Sequence, residues 1–304
     1  MSLLAGDLVR RFGGAGSRTL DTDALRWRRM KFLVEVPNFG RWSDPHVFAD
    51  FAREVEQAGW DGLAVWDHIL GGDDLEVADP WVLLTAAAIV TERIRLMTMV
   101  TPLPRRHPWK LARETATLDL LSGGRLILGV GLGWPTDPEF TRFGGEEDLR
   151  VRGEMLDEGL GILAGLWSGE PFAFQGEHYG LEQVTFRPTP AHKPRIPIWV
   201  AATWPYERPI RRAARWDGIV PGFFSLDTDE YTDPTPEIVE QIVARVREHR
   251  TSDEPFDVVL PGDPRRAVEF EEVGVTWWRN AWAPFSGISH DDWLGYIPDG
   301  PPGN

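Results

Sequence analysis

A histidine and an aspartate that follow an apolar segment are the first residues of this sequence that could do chemistry. Residues 63–66 are apolar, and Asp67 and His68 come directly after them. An imidazole has a pKa near neutrality and can give or take a proton at working pH. We therefore predict that His68 is a catalytic acid or base, the alternative being a structural histidine hydrogen-bonded inside the protein. Asp67 either orients His68 or caps the turn that follows.

Metal and nucleophile chemistry finds little support in the sequence. The other six of the seven histidines are scattered, with no pair at metal-ligand spacing, and the chain has no Cys. Disulfides, thiolate zinc sites, iron–sulfur clusters and a cysteine nucleophile are excluded together. The sequence also lacks the phosphate-loop, serine-hydrolase and zinc-protease motifs.

A glycine-rich segment follows another apolar run. Gly129, Gly131 and Gly133 alternate with other residues, and Trp134 comes next. The spacing is similar to the dinucleotide-binding glycine fingerprint, but Trp134 stands where the third spaced glycine belongs. Glycines at such a position let the main chain approach a flat ligand closely. The alternative is a tight glycine-rich turn.

Two arginine-rich segments are candidates for binding an anionic group. Arg105 and Arg106 follow a third apolar run, and four arginines lie within residues 208–215, soon after Thr203. Phosphate binding combines main-chain amides at a helix start with a basic side chain. The alternative is that these arginines form a solvated face paired with surface carboxylates.

These candidates share one position in the predicted secondary structure, the carboxyl end of a strand. From residue 31 onward, short β-branched segments alternate with helix-length periodic segments, which is typical of α/β proteins. The predicted strands are 31–36, 63–66, 95–101, 125–131, 198–201, 218–220, 256–260 and 275–278. Without the order reversal of a doubly wound sheet, eight βα units predict a closed (β/α)8 barrel, in which chemistry sits at the carboxyl ends of the strands.

Two regions depart from the regular repeat. Residues 168–197 form an insertion before the fifth strand. The segment after Trp278 is short and rich in Gly and Pro, so we expect a shortened last unit with a short or absent closing helix. Aspartate–proline pairs at residues 44–45 and 79–80 predict the starts of two helices.

Composition and charge narrow the choice of partners. The chain has 304 residues, with 47 Asp and Glu against 32 Lys and Arg. The resulting net charge of −15 disfavours binding to the negatively charged backbone of nucleic acids. The longest nearly apolar run, residues 81–90, has half of the ~20 residues that a membrane span needs. Residues 1–29 are locally basic and predict a flexible N-terminal extension, with residues 30–304 as one barrel domain. The absence of Cys is compatible with a reducing compartment, and we expect a cytoplasmic protein.

Several segments together resemble one known family. The chain is similar to the luciferase-like superfamily of flavin-dependent oxidoreductases and monooxygenases in the segments VPNFG, VWDHI, VTPLPRRHPWKLARETATLDLLSGGRLILGVGLGW, EFTRFG and RIPIWVAATWP. The resemblance covers about residues 30–280. It implies a TIM barrel that binds FMN, or the 8-hydroxy-5-deazaflavin coenzyme (F420), at its mouth.

The resemblance also implies roles for individual residues. His68 matches a histidine that gives or takes a proton near the flavin, and residues 97–101 match a strand that often has a bulge with a non-prolyl cis peptide. Residues 168–197 would help to cover the site. The strand-end positions and the resemblance together give these predicted cofactor-binding residues: Asn38, Thr101, Arg106, Gly131, Gly133, Trp134, Ala202, Thr203 and Trp204.

The implied activity is that of a monooxygenase that uses reduced FMN and O2 on a small organic substrate. A flavin reductase would supply the reduced cofactor, and a homodimer is the common assembly in the family. A deazaflavin-dependent reductase or dehydrogenase of the same superfamily is the alternative. A non-catalytic flavin-binding protein is the alternative of another class. We expect no metal, nucleic acid or membrane as a partner.

Overall fold

The computed structural model describes residues 30–71, 74–134, 138–225, 231–263, 266–281 and 290–302. The predicted N-terminal extension, residues 1–29, lies outside these ranges. Within them, no helix combines the length and the apolar character that crossing a membrane requires.

Strands and helices alternate along the chain. The barrel strands are β1 (Lys31–Val36), β2 (Gly62–Val65), β3 (Arg95–Thr98), β4 (Thr101–Pro102), β5 (Leu126–Gly131), β8 (Ile198–Thr203), β9 (Gly218–Gly222), β10 (Asp257–Pro261) and β11 (Trp277–Ala281). The helices are α1 (Pro45–Gln57), α2 (Pro80–Val90), α3 (Pro108–Leu121), α4 (Leu149–Trp167), α5 (Glu207–Ala213), α6 (Pro236–His249), α7 (Val268–Glu271) and α8 (His290–Gly295). A separate antiparallel hairpin consists of β6 (Pro171–Gln175) and β7 (Gly180–Thr185).

The large sheet closes on itself. β1 pairs in parallel with both β2 and β11, and β11 also pairs with β10. β5 pairs with β3, β4 and β8. Because β3 and β4 are two halves of one strand, the barrel has eight strands. The predicted (β/α)8 TIM barrel is confirmed, and its eighth unit closes even though α7 and α8 are short. The last strand begins at Trp277, slightly later than predicted.

The third barrel strand is interrupted between β3 and β4. The Met99–Val100 peptide bond there is cis and non-prolyl. This is the segment in which the resemblance implies such a bond. Pairing resumes at Thr101, which lies opposite Val130 of β5.

Aspartate–proline pairs start α1 and α2, as the sequence predicts. The Asp44 carboxylate accepts a hydrogen bond of 2.8 Å from the main-chain N–H of His46. The Asp79 carboxylate accepts one of 2.9 Å from the N–H of Trp81. Each aspartate satisfies an amide that has no partner within its helix, and proline at the first helical position has no N–H to leave unpaired.

The sequence Trp-Asp-Gly occurs at residues 60–62 and 216–218 and makes the same helix-to-strand junction twice. Asp61, before β2, accepts a hydrogen bond of 2.9 Å from the N–H of Phe32 on the neighbouring strand. Asp217, before β9, accepts one of 2.7 Å from the N–H of Ile198. These carboxylates tie the starts of adjacent strands together at the end of the barrel opposite the site.

Two tryptophans fill the amino-terminal end of the barrel interior. The rings of Trp199 and Trp277 are fully buried, edge to face, with centroids 5.3 Å apart. Gly218 leaves room for them, because a Cβ there would lie 2.4 Å from Cδ1 of Trp199. The barrel therefore has a packed floor, and any open space lies toward the carboxyl ends of the strands.

The hairpin β6–β7 packs on the outside of the barrel. Phe172 and Phe174 lie over Gly165 and Gly161 of α4. The Glu158 carboxylate of α4 accepts hydrogen bonds from the main-chain N–H groups of residues 177–179 at the hairpin turn. The expectation that residues 168–197 help to cover the site is therefore wrong, because the phenylalanines of this insertion complete the outer face of α4.

Candidate active site at the barrel mouth

Asn38 fixes the main chain at His68. Its side-chain Nδ2 donates hydrogen bonds to the carbonyl oxygens of His68 at 2.8 Å and Ala78 at 2.7 Å. Its Oδ1 accepts one from the N–H of His68 at 3.2 Å. Asn38 is completely buried. The sequence predicts that Asn38 binds a cofactor, but in the structure these side-chain hydrogen bonds position the predicted catalytic histidine, His68.

A glutamate, and not Asp67, contacts the ring of His68. Oε1 of Glu139 lies 3.1 Å from Nδ1 of His68. An ionised carboxylate only accepts hydrogen bonds, so Nδ1 carries the proton and donates it to Glu139. Nε2 makes no hydrogen bond within the described protein, and the side chain is 23% exposed. This leaves Nε2 as the nitrogen that can exchange a proton with a ligand.

Glu139 is held in its ionised form. The same Oε1 accepts main-chain hydrogen bonds from Ile69 at 3.0 Å and Leu70 at 3.1 Å, and Oε2 accepts one from Arg105. Burial raises the pKa of Glu139. The hydrogen bond from His68 and the charge of Arg105 together lower the pKa by more than burial raises it, so the net shift is downward. Glu139 therefore holds both the His68 ring and the loop that follows it.

Asp67 is bound by two arginines. Its Oδ1 accepts hydrogen bonds from Nη2 of Arg106 at 2.7 Å and Nη2 of Arg105 at 2.9 Å, and its Oδ2 accepts one from Nε of Arg106 at 3.0 Å. Burial lowers the pKa of Arg106, and the opposite charge of Asp67 more than compensates, so the net shift is upward. Asp67, Arg105 and Glu139 form one buried charge network that supports the loop bearing His68.

Gly129 and Gly131 face the interruption in the third barrel strand. A Cβ at Gly129 would lie 2.1 Å from the carbonyl oxygen of Thr98. A Cβ at Gly131 would lie 2.8 Å from Cγ2 of Val100. Packing inside the protein is thus sufficient to explain glycine at both positions. The glycine pattern by itself does not indicate a ligand.

Gly133 and Trp134 turn the chain away from β5 at the mouth. Gly133 has a φ of +89°, which glycine adopts without a steric penalty. Trp134 is 45% exposed, and its ring centroid lies 6.0 Å from that of Phe224, which follows β9. Two aromatic rings therefore stand together at the rim on this side.

The end of β8 supplies the remaining predicted cofactor-binding residues. Ala202 and Thr203 are the last residues of this strand, and Trp204 follows with a cis bond to Pro205. The Arg245 guanidinium of α6 lies over the Trp204 ring at 4.7 Å. The structure therefore brings these three residues to the same barrel edge as His68 and Thr101.

The four arginines within residues 208–215, on α5 and just after it, divide into two pairs. Arg212 donates from Nε to the Asp157 carboxylate of α4 at 2.9 Å, and Arg215 binds the same carboxylate. Arg208 and Arg211 are exposed. Arg212 and Arg215 are therefore paired with a surface carboxylate, which is the alternative that the sequence left open.

A buried ion pair inside the barrel escaped the sequence reasoning. Nη1 of Arg279, on β11, lies 3.0 Å from Oε2 of Glu35, on β1. The indole N–H of Trp66 donates to the other oxygen of Glu35. Burial raises the pKa of Glu35, and the charge of Arg279 only partly offsets this. A glutamate among the buried residues 32–36 of the first strand was the signal that could have found this pair.

Glu139 was missed for a different reason. It lies within the EFTRFG segment, but no strand end precedes it directly. Its neighbour Phe140 is also buried, with the Arg152 guanidinium 4.1 Å from its ring centre. The segment therefore belongs to the site through contacts that bridge two βα loops.

Comparison with known proteins identifies the family. Residues 30–264 match the model of the luciferase-like monooxygenase family. The match covers most of the chain, so the chain belongs to this family. The recognised motifs and the TIM barrel agree with this membership.

Among curated proteins, the chain is similar to F420-dependent glucose-6-phosphate dehydrogenases. It is 31% identical over 193 residues to that of Nakamurella multipartita and 32% identical over 193 residues to that of Microbacterium testaceum. These alignments cover 58% of this chain and 51% and 52% of the two relatives, so the chain spans about half of their length. It is also 33% identical to an uncharacterized protein of Mycobacterium tuberculosis over 246 residues, which cover 72% of this chain and 79% of that protein.

Solved structures share the fold. The crystal structure of monooxygenase RslO1 from Streptomyces bottropensis is 26% identical, with a TM-score of 0.62 over 77% of this chain and 71% of that chain. An F420-dependent secondary alcohol dehydrogenase in complex with an F420-acetone adduct is 16% identical, with a TM-score of 0.71 over 90% of this chain and 97% of that chain. At that identity, the second likeness shows the fold alone.

Proposed function

We propose that this chain is an oxidoreductase that binds a flavin or deazaflavin at the barrel mouth and uses His68 to exchange a proton with its substrate. The observation that carries the proposal is the hydrogen bond between Nδ1 of His68 and the buried, ionised Glu139. It fixes the tautomer and leaves Nε2 to act as acid or base.

The residues at the mouth fit a large planar cofactor with polar edges. The hydroxyl of Thr101 is completely buried and has no hydrogen-bond partner among the residues that the structure describes. Such a group normally finds a partner, and a polar edge of a bound ring would supply one. Thr101, Thr203 and Trp204 would hold the cofactor, with Trp134 and Phe224 at the rim. When bound, a deazaflavin supplies or accepts a hydride.

The first candidate is hydride transfer with F420. Both named dehydrogenases at 31% and 32% identity depend on F420, which supports this cofactor. In the direction of alcohol oxidation, the substrate would lose a hydride to the oxidised cofactor and its hydroxyl proton to Nε2 of His68. The charged Glu139 would stabilise the imidazolium that results.

The second candidate is the monooxygenase function with reduced FMN and O2 that the sequence resemblance implies. The 26% identity to the monooxygenase RslO1 supports it. In this case a flavin reductase would supply the reduced cofactor, and His68 would manage protons at the same place.

Cofactor titration of the purified chain tests the proposal and separates the two candidates. We expect saturable binding of F420, measured by its fluorescence, and weaker binding of FMN. Turnover of a panel of small alcohols with F420 under nitrogen supports the first candidate. Turnover that requires reduced FMN and air supports the second. If neither cofactor binds, the proposed function is wrong.

A further inference from the structure

The ion pair of Glu35 and Arg279 lies inside the barrel, closer to the mouth than the two tryptophans that form the packed floor. Glu35 is two residues beyond Leu33, and Arg279 is two residues beyond Trp277, on adjacent strands whose side chains alternate between inside and outside. Leu33 and Trp277 belong to the interior cluster. Glu35 is 3% exposed. A buried carboxyl group and a guanidinium that is 19% exposed therefore lie together in the upper part of the barrel interior.

The fold does not use all the hydrogen-bonding capacity of this pair. Among the residues that the structure describes, Nε of Arg279 is buried and has no hydrogen-bond partner. Oε2 of Glu35 is also buried, and although it is ion-paired with Nη1 of Arg279 at 3.0 Å, it accepts no hydrogen bond of good geometry there. A buried ion pair costs desolvation, and well-packed apolar residues often serve stability as well or better. A guanidinium N–H without an acceptor, beside a carboxylate oxygen that accepts no hydrogen bond, matches a group that can both donate and accept. A hydroxyl group does this, and it can pair with a carboxyl group in either protonation state.

Trp66 connects this pair to the candidate catalytic histidine. Its indole N–H donates to Glu35, and its ring lies edge to face with His68 at a centroid distance of 5.6 Å. The Phe39 ring contacts both, at 5.7 Å from Trp66 and 6.0 Å from His68. A ligand that reaches from His68 to the ion pair would therefore pass an aromatic surface.

We propose that Glu35 and Arg279 are a substrate-recognition site that binds a hydroxyl group of the substrate separate from the group that reacts near His68. The substrate class is a small organic molecule with two polar ends joined by an apolar body that packs on Trp66 and Phe39. The role of His68 at the reacting end rests on the proposed function, whereas the binding of the remote hydroxyl does not.

Matched ligands test the recognition site. The probes are trans-1,4-cyclohexanediol, trans-4-methoxycyclohexanol and cyclohexanol, which differ only at the remote position. Binding is measured by ligand-observed NMR with the chain saturated with F420 or FMN, and again with the chain alone. We expect the diol to bind at least about tenfold more tightly than the other two, which corresponds to ~1.4 kcal/mol.

The double variant Glu35→Leu/Arg279→Met removes both charges, so that neither is left buried alone. We expect it to lose the preference for the diol and to keep its cofactor affinity and melting temperature. The control Asp157→Leu/Arg212→Met removes an ion pair between α4 and α5 and should keep the preference. The double variant Glu35→Ala/Arg279→Ala provides a second test if the first double variant does not fold.

The proposal is overturned if wild-type protein binds the three probes equally or binds none of them. It is also overturned if either double variant folds and keeps the preference. Failure of both cofactors to bind, with the diol preference intact in the chain alone, would refute the proposed function and leave the recognition site standing.

Discussion

Oε1 of Glu139 lies 3.1 Å from Nδ1 of His68, although the two residues are 71 positions apart in the chain. One residue follows β2 and the other follows β5, so β2, β3 and β5 must pair side by side before the contact exists. The predicted acid or base thus depends on a partner that only the fold provides.

Replacing His68 with Ala tests the proton-transfer role. We expect turnover to fall by about 10²-fold or more, because the general acid or base is lost, while cofactor binding persists. Steady-state kinetics and a fluorescence titration measure the two quantities. His46→Ala is the matched control, since His46 is exposed at the start of α1 and should change neither. Full turnover of His68→Ala would refute the assignment.

Glu139→Gln tests the charge network through stability. The downward pKa shift means that the folded state favours the ionised carboxylate. The stabilisation is therefore complete above the ordinary value of 4.5 and is lost as the pH falls through the lowered pKa. We expect the variant to be less stable by about 2 kcal/mol at neutral pH, with the difference shrinking in acid.

Urea denaturation at pH 7 and near pH 4 measures this difference. Glu154→Gln is the control, because Glu154 is 40% exposed and its ion pair with Arg150 should contribute no more than ~0.5 kcal/mol. An equal loss of stability in both variants, or a loss that grows in acid, would contradict the role of Glu139.

Gly129→Ala tests the packing at the interrupted strand. The new methyl group would meet the Thr98 carbonyl oxygen at 2.1 Å, and we expect a loss of about 3 kcal/mol in the free energy of unfolding. In Gly161→Ala, the nearest atom to the new Cβ is 3.8 Å away, on Phe174, so this helical position should gain roughly 0.5–1 kcal/mol. Thermal and urea unfolding of the two variants check the contrast. Similar stabilities for both would show that the close approach does not exist.

Tyr179→Phe tests the position of the hairpin. The Tyr179 hydroxyl is buried and has no hydrogen-bond partner in the described part of the chain, and burial raises its pKa to about 12 from 10.0. The neutral form is thus favoured by the fold, and wild-type protein loses stability as the pH rises from about 10 toward 12. The variant should lack this alkaline loss and should be as stable at neutral pH, with unchanged turnover. A change in KM would place the hairpin at the site after all.

The sequence was most informative where one local interaction decides the structure. Asp44 and Asp79 cap helices that follow them directly, and the alternation of strands and helices is sufficient to predict the barrel. The strand-end rule also located His68 and Thr101 at the right edge of the fold.

Contacts between residues that are far apart in the chain could not be predicted in the same way. Glu35 and Arg279 are 244 positions apart, and each alone is an ordinary charged residue. The hairpin was misplaced because its partners are two glycines of α4, Gly161 and Gly165, whose missing side chains make room for Phe174 and Phe172. Such matches depend on which helix faces which strand, and one sequence does not specify that.

The tryptophan floor formed by Trp199 and Trp277 fills the amino-terminal end of the barrel interior, so a ligand reaches the interior from the carboxyl ends of the strands. Substrate and product must share this route with the cofactor, so the molecule that lies deeper has to enter first and leave last. We expect initial-rate and product-inhibition kinetics to show an ordered and not a random sequence of binding. In an ordered sequence, the product that inhibits competitively against the first ligand is the one released last. Its identity would show whether the cofactor or the substrate lies nearer the floor.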